Sequence, residues 1–183
     1  MNKKHCILLF LAFIGLSGIT KPKFSYKGYG NVANYFESEN DFQRFFNFQA
    51  GDNVAEIGAG NGENMYGFTI VSDSITFYVQ DIDSITLSKN SFDKVVKHCK
   101  QLKKPMTNKF HRCIGTVKQT NLPDNTFDKI LLISTFHEFT FMEEMMTDIY
   151  KKLKPNGQLY ILETHCLSHK NYTSDETIEM MKK

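Results

Sequence analysis

The sequence predicts an α/β domain built on a doubly wound parallel sheet with helices on both faces. Three observations carry that expectation. Asp52 to Glu63 reads as a short apolar strand, Val54 to Ile57, that breaks into a glycine turn and starts a helix. Strand-length apolar runs then alternate with helix-length stretches as far as Glu163, the pattern of successive strand–helix–strand units. Phe127 to Ser134 holds a continuous apolar run, Ile130 to Ile133, which suits a strand buried on both faces.

Composition bounds what the fold does. The chain has 183 residues, 41% of them hydrophobic, enough for one globular domain with a core of its own. The net charge is +2, so nothing global argues for nucleic acid or an acidic partner. The four cysteines, Cys6, Cys99, Cys113 and Cys166, form no Cys-x-x-Cys pair, and no metal site is expected. Phe at 16 with no Trp is unusual, and no function follows from it.

The chain opens with a short basic stretch, Asn2 to His5, and an apolar run from Cys6 to Gly18. The run has the length of a signal-peptide core and is short for a bilayer-spanning helix. It is apolar on every side, which disfavours an amphipathic helix. Residues 1–20 are therefore read as a signal peptide or, second, a membrane anchor, with export or membrane association through 6–18. Lys21, Lys23 and Lys27 blur the charge asymmetry that would orient such a segment.

Residues 21–50 read as an arm and a helix. Lys21 to Asn34 is polar and aromatic, and Tyr35 to Phe48 carries Phe36, Phe42, Phe45, Phe46 and Phe48 between acids. That spacing makes one or two amphipathic helices packed ahead of the first sheet strand of the main domain, 51–183. Core packing is the expectation for most of these rings; Tyr29 and Tyr35 are alternative lid residues.

At the glycine turn, Gly58, Gly60 and Gly62 let the backbone approach a ligand. The following helix turns free N–H groups toward that point. Glu56 ends the strand, so its carboxylate is expected at the mouth. A dinucleotide loop, Gly-x-Gly-x-x-Gly, needs a small residue at 63, where Glu63 stands. Glu-x-Gly-x-Gly-x-Gly instead resembles motif I of the class I S-adenosylmethionine (SAM) dependent methyltransferases. The resemblance implies that Glu56, Gly58, Ala59, Gly60 and Gly62 hold the methionine end of SAM, with an anionic Glu56 facing its cationic groups.

Ile75 to Val79 reads as the second strand of this domain, ending at Gln80-Asp81-Ile82-Asp83. By the resemblance, an acid at this strand end holds both ribose hydroxyls, and a carboxylate has the two oxygens to do so. Asp81 fits the register; Asp83 reads as the cap of the next helix, Ser84 to Lys103. Lys94, Lys97, Lys100, Lys103 and Lys104 give that helix a basic face, read as a solvated surface. Phe110 to Val117 is the third strand. Family members often follow it with an acid that bonds the adenine amino group. Here the stretch is Thr116-Val117-Lys118-Gln119, which leaves adenine to backbone groups and Gln119.

Two further landmarks extend the resemblance. Leu122-Pro123-x-x-x-Phe127-Asp128-x-x-Leu131, then His137 after the strand, resembles the type 11 methyltransferase subgroup, which includes quinone-pathway enzymes. Leu153-Lys154-Pro155-Asn156-Gly157-x-Leu159 resembles the family's turn into strand five, with Asn156 in place of a glycine; Asn tolerates left-handed angles. Together they imply a Rossmann-like sheet of order 3-2-1-4-5 with right-handed crossovers. Only His165 to Lys183 remains after strand five, so the family's last two strands are not expected. A domain truncated after 183, or a partner covering the strand-five edge, would follow.

The implied activity is methyl transfer from SAM to a small-molecule acceptor. His137 and Glu138 are the candidate catalytic residues at the strand-four end; Glu163 and His165 are further candidates for a base near the mouth. No Asp-Pro-Pro-Tyr segment follows strand four and no Pro-Cys nucleophile is present, against methylation of adenine, glutamine or cytosine. Two other readings stay open: a non-catalytic SAM-binding domain, and an NAD-dependent oxidoreductase, which Glu63 disfavours. An exported enzyme would be separated from cytosolic SAM, which keeps a cytoplasmic location as the alternative.

Overall fold

A computed structural model describes residues 5–10, 38–88, 92–163 and 179. Its sheet has six parallel strands: β1 (His5–Phe10), β2 (Asn53–Ile57), β3 (Thr76–Asp81), β4 (Lys109–Ile114), β5 (Phe127–Ile133) and β6 (Leu153–Glu163). The order is β1-β6-β5-β2-β3-β4. Its last five members are the predicted strands in the predicted order, doubly wound about β2.

Each face of the sheet buries a separate apolar cluster, because alternate side chains of a strand point to opposite faces. On one face Val54, Phe77, Val79 and Leu131 pack against α1 (Glu39–Phe46), α2 (Glu63–Phe68) and α4 (Phe92–Gln101). On the other, Ala55, Ile57, Ile130 and Leu132 pack against Met145 and Ile149 of α5 (Met142–Lys152). The phenylalanine surplus belongs to the first face. Phe42, Phe46, Phe48, Phe68 and Phe77 stack ring against ring there, with centroids 5.1–6.1 Å apart. That geometry adds aromatic attraction to area burial.

Local chemistry sets the element ends. Ser38 caps α1 by accepting the Asp41 N–H, and Asn47 closes it in the left-handed region at φ 45°. Asp83 accepts from the N–H groups of Ile85 and Thr86, so it caps α3 (Ser84–Ser88) as its position predicts. Asn156 has φ 69°, the conformation expected of a glycine substitute. Gly157 is needed for a different reason: a Cβ there would meet the Phe127 carbonyl oxygen at 2.8 Å.

Three sequence expectations change. The single helix expected over Ser84 to Lys103 is two, α3 and α4, with 89–91 outside the described residues. β4 stops at Ile114, three residues early, because Gly115 turns the chain: the Thr116 N–H bonds the Gln119 carbonyl at 2.7 Å. The edge expected to lie bare beside β6 carries β1, paired from His5↔Gln158 to Phe10↔Glu163. That strand is the start of the apolar run read as a leader or anchor; the rest of that run, the arm and 164–178 lie outside the described residues. Among the described residues no helix is long and apolar enough to cross a membrane. Lys94, Lys97, Lys100 and Lys103 are exposed, as expected of a solvated face, and Lys104 pairs with Asp73.

Candidate functional site

Parallel strands share their carboxyl ends, and here β2, β3 and β5 end around one cleft. Open α/β sheets place ligands at such a point, where the winding reverses. The cleft holds about 290 Å³, near the lower end for small-molecule sites. Gly58, Asp81, Thr116, Ser134, Thr135 and Glu138 are among its walls.

Gly58, Gly60 and Gly62 all have positive φ, 70°, 54° and 76°, and an added side chain would meet different surroundings at each. A Cβ on Gly58 would collide with Thr135, and one on Gly62 with Tyr66 and Val79. Those two glycines are required by the protein's own packing. At Gly60 the nearest atom to a built Cβ is Thr86 Cγ2, at 3.9 Å, so open space adjoins that backbone. Ala59 is buried in the core with its N–H on the Gln80 carbonyl.

Asp81 is fixed at the cleft by two backbone contacts. Its Oδ2 accepts the Gly60 N–H at 2.7 Å and its Oδ1 the Asp83 N–H at 2.8 Å. Each carboxylate oxygen accepts two bonds, so each keeps a lone pair for one hydroxyl. The same contacts tie the acid to the loop, so a bound ribose would meet both at once.

Glu56 departs from expectation. It is 1% exposed and faces α2, where Asn64 donates to its Oε1 at 2.8 Å. Its Oε2 has no partner among the described residues. Burial, reinforced by Asp81, pushes its carboxyl up to about 8 against the one Asn64 bond. Burial thus favours the neutral form of the group expected to be anionic at the mouth, and it is not among the cleft walls. An unpaired buried oxygen beside the glycine loop still fits a cationic ligand group.

The strand-four end forms a chain of side chains. Glu163, at the end of β6, accepts the N–H groups of Thr135 and Phe136 through Oε1, at 3.0 and 2.7 Å. Its Oε2 faces His137 Nδ1 at 2.5 Å. His137 Nε2 stands 3.2 Å from Glu138 Oε1, and Glu138 lines the cleft while His137 does not. The two candidate catalytic residues are thus brought together with only Glu138 at the cavity; His165 lies outside the described residues.

Two residues at the site carried no sequence motif. Asn64 holds Glu56, and Gln80 lines the cleft with its side chain buried. The one signal for Gln80 is a polar residue closing an otherwise apolar strand. Gln119 is exposed and is not a cleft wall. Among the described residues no three His, Cys, Asp or Glu side chains cluster to hold a metal.

Comparison with known proteins agrees with this geometry. The methyltransferase domain family matches residues 55–161. The ubiquinone/menaquinone biosynthesis C-methyltransferase UbiE of Francisella tularensis subsp. novicida is 30% identical over 121 residues, 62% of this chain and 43% of that protein. The chain thus spans less than half the length of the curated relatives it matches. A SAM dependent methyltransferase from Aquifex aeolicus superposes with a TM-score of 0.53 at 20% identity, over 75% of this chain and 70% of that one. Haemonchus contortus phosphoethanolamine N-methyltransferase 2, solved with phosphomonomethylethanolamine and S-adenosylhomocysteine, gives 0.59 at 16% identity, over 80% and 36%. These two structures share the fold. The family match covers more than half of the sequence and includes the glycine loop, Asp81 and the strand-four end: the chain belongs to the methyltransferase domain family, and its cofactor is S-adenosylmethionine.

Proposed function

We propose that this protein transfers the methyl group of SAM to a small-molecule acceptor that enters beside Glu138. The observation that carries the reading is a cleft walled by a loop-tied Asp81 with a free lone pair on each oxygen and by Glu138 at the end of a carboxylate chain, with open backbone at Gly60 bonded to that Asp81. SAM supplies an electrophilic methyl on a good leaving group; the protein's part is orientation and charge.

In this reading Gly60 admits the cofactor to the loop and Asp81 holds its ribose, while Glu56 Oε2 receives positive charge. Glu138 is the catalytic residue, accepting a hydrogen bond or proton from the acceptor. His137 is a positioning residue: Glu163 grips its Nδ1, which aims Nε2 at Glu138. The relatives' names include a C-methyltransferase and an N-methyltransferase. The proposal therefore specifies a small molecule and leaves its atom open.

The test is incubation of the protein with methyl-labelled SAM and a small-molecule extract. Label is expected in a low-mass product, and Glu138→Gln is expected to slow its formation at least about tenfold. Binding of SAM without any labelled product would instead favour a SAM-binding module.

A further inference from the structure

Gln80 is the least explained side chain at the cleft. It is 1% exposed, and neither Nε2 nor Oε1 has a hydrogen-bond partner among the described residues. An unpaired buried amide destabilises a protein by about 1–3 kcal/mol relative to a paired one, so it stands out unless something else meets it. A Cβ on Gly115 would lie 2.1 Å from Gln80 Nε2 and 2.8 Å from the Gln119 carbonyl oxygen, so the amide rests against Gly115, and both it and the turn to Gln119 need glycine there. Gly115 does not have a positive φ, so backbone conformation is not the reason for glycine.

The position where family members often carry an adenine-binding acid does not compete. Thr116 spends its hydroxyl on its own turn, accepting the N–H groups of Lys118 and Gln119 at 3.3 and 3.1 Å. Beside Gln80 the cleft walls include Ile82 and Val117, 52% and 48% exposed. Two bare apolar side chains at a cavity suit the faces of a flat ring. A carboxamide offers one donor and one acceptor side by side, the complement of adenine's amino group and the neighbouring ring nitrogen.

We propose that Gln80 recognises the adenine of SAM in place of the missing acid, seated by Gly115 and flanked by Ile82 and Val117. Its Oε1 accepts from the exocyclic amino group while Nε2 donates to a ring nitrogen. The inference rests on the SAM site described above and adds a residue to it.

The experiment is calorimetric titration of the folded protein with two ligands, S-adenosylhomocysteine and its analogue with unsubstituted purine in place of adenine. Gln80→Leu is expected to weaken S-adenosylhomocysteine by about 10- to 100-fold, the worth of a bidentate contact. It is expected to weaken the analogue, which lacks the amino group but keeps the ring nitrogen, by only about fivefold or less, the worth of the one remaining bond. Its melting temperature should equal or exceed the parent's, because leucine fills the space without an unpaired amide. Equal losses for the two ligands, or no loss for either, would overturn the role of Gln80 and leave the SAM site standing. A parent protein that binds neither ligand would overturn both.

Discussion

The two ends of the sheet treat buried polar groups differently. At the amino end Lys129, Lys152 and Lys154 each meet an aspartate. Lys129 of β5 is buried against Asp52, which also accepts the Gln49 N–H. Asp128 takes both Lys154 and the Asn53 N–H, and Lys152 bridges Asp124 and Asp148. At the carboxyl end, Glu56 and Gln80 supply three of the four unpartnered buried side-chain atoms among the described residues; the fourth is the Thr69 hydroxyl beyond α2. Buried polar groups are normally paired, so the asymmetry separates an end that holds the fold together from an end that waits for a ligand.

That contrast is open to attack from both sides. Removing one partner of a buried pair leaves the other charge stranded. Lys129→Met is therefore expected to lower unfolding free energy by about 3–5 kcal/mol, read by chemical denaturation. The protein that remains folded should bind S-adenosylhomocysteine as the parent does. A comparable loss of affinity would mean the two ends are not separable.

Gly60→Arg is the converse. It fills the open side of the loop and should reduce S-adenosylhomocysteine affinity by at least about 100-fold, while its left-handed φ of 54° costs only about 1–2 kcal/mol of stability. Normal binding by this variant, measured by calorimetry, would refute the loop as the cofactor's seat.

A smaller effect reads the unpaired end through pH. The folded-state value of Glu56, about 8, lies above its ordinary 4.5. Between those values the folded protein holds a proton that the unfolded chain gives up. The stabilisation is full below about 4.5 and is lost as pH rises through 8. Glu56→Gln, which cannot ionise, should match the parent near pH 5 and exceed it near pH 8 by on the order of a few kcal/mol. Parallel stability curves for the two proteins would show that Glu56 is not held neutral.

The parts visible in the sequence are those fixed by short-range chemistry. The glycine turn and the Asn156-Gly157 turn follow from local geometry, alternating runs give the strands β2 to β6, and their order is what the resemblance implied. β1 was hidden because an all-apolar run has no period to separate strand from leader; its pairing with β6 spans most of the chain. The neutral state of Glu56 depends on how deeply α2 covers it, which no motif encodes. His137 is visible as a residue after a strand. Its separation from the cleft depends on Glu163, 26 residues away on a neighbouring strand. Gln80 was passed over because its meaning lies in what fails to contact it.

The most direct measurement is calorimetric titration of the unmodified protein with SAM, S-adenosylhomocysteine and NAD in turn. Saturable one-site binding of the first two, weakened at least about tenfold by Asp81→Ala, with no heat from NAD, is the expected result. Heat from NAD alone, or binding of SAM that is indifferent to Asp81, would contradict a SAM seat at the carboxyl end of this sheet.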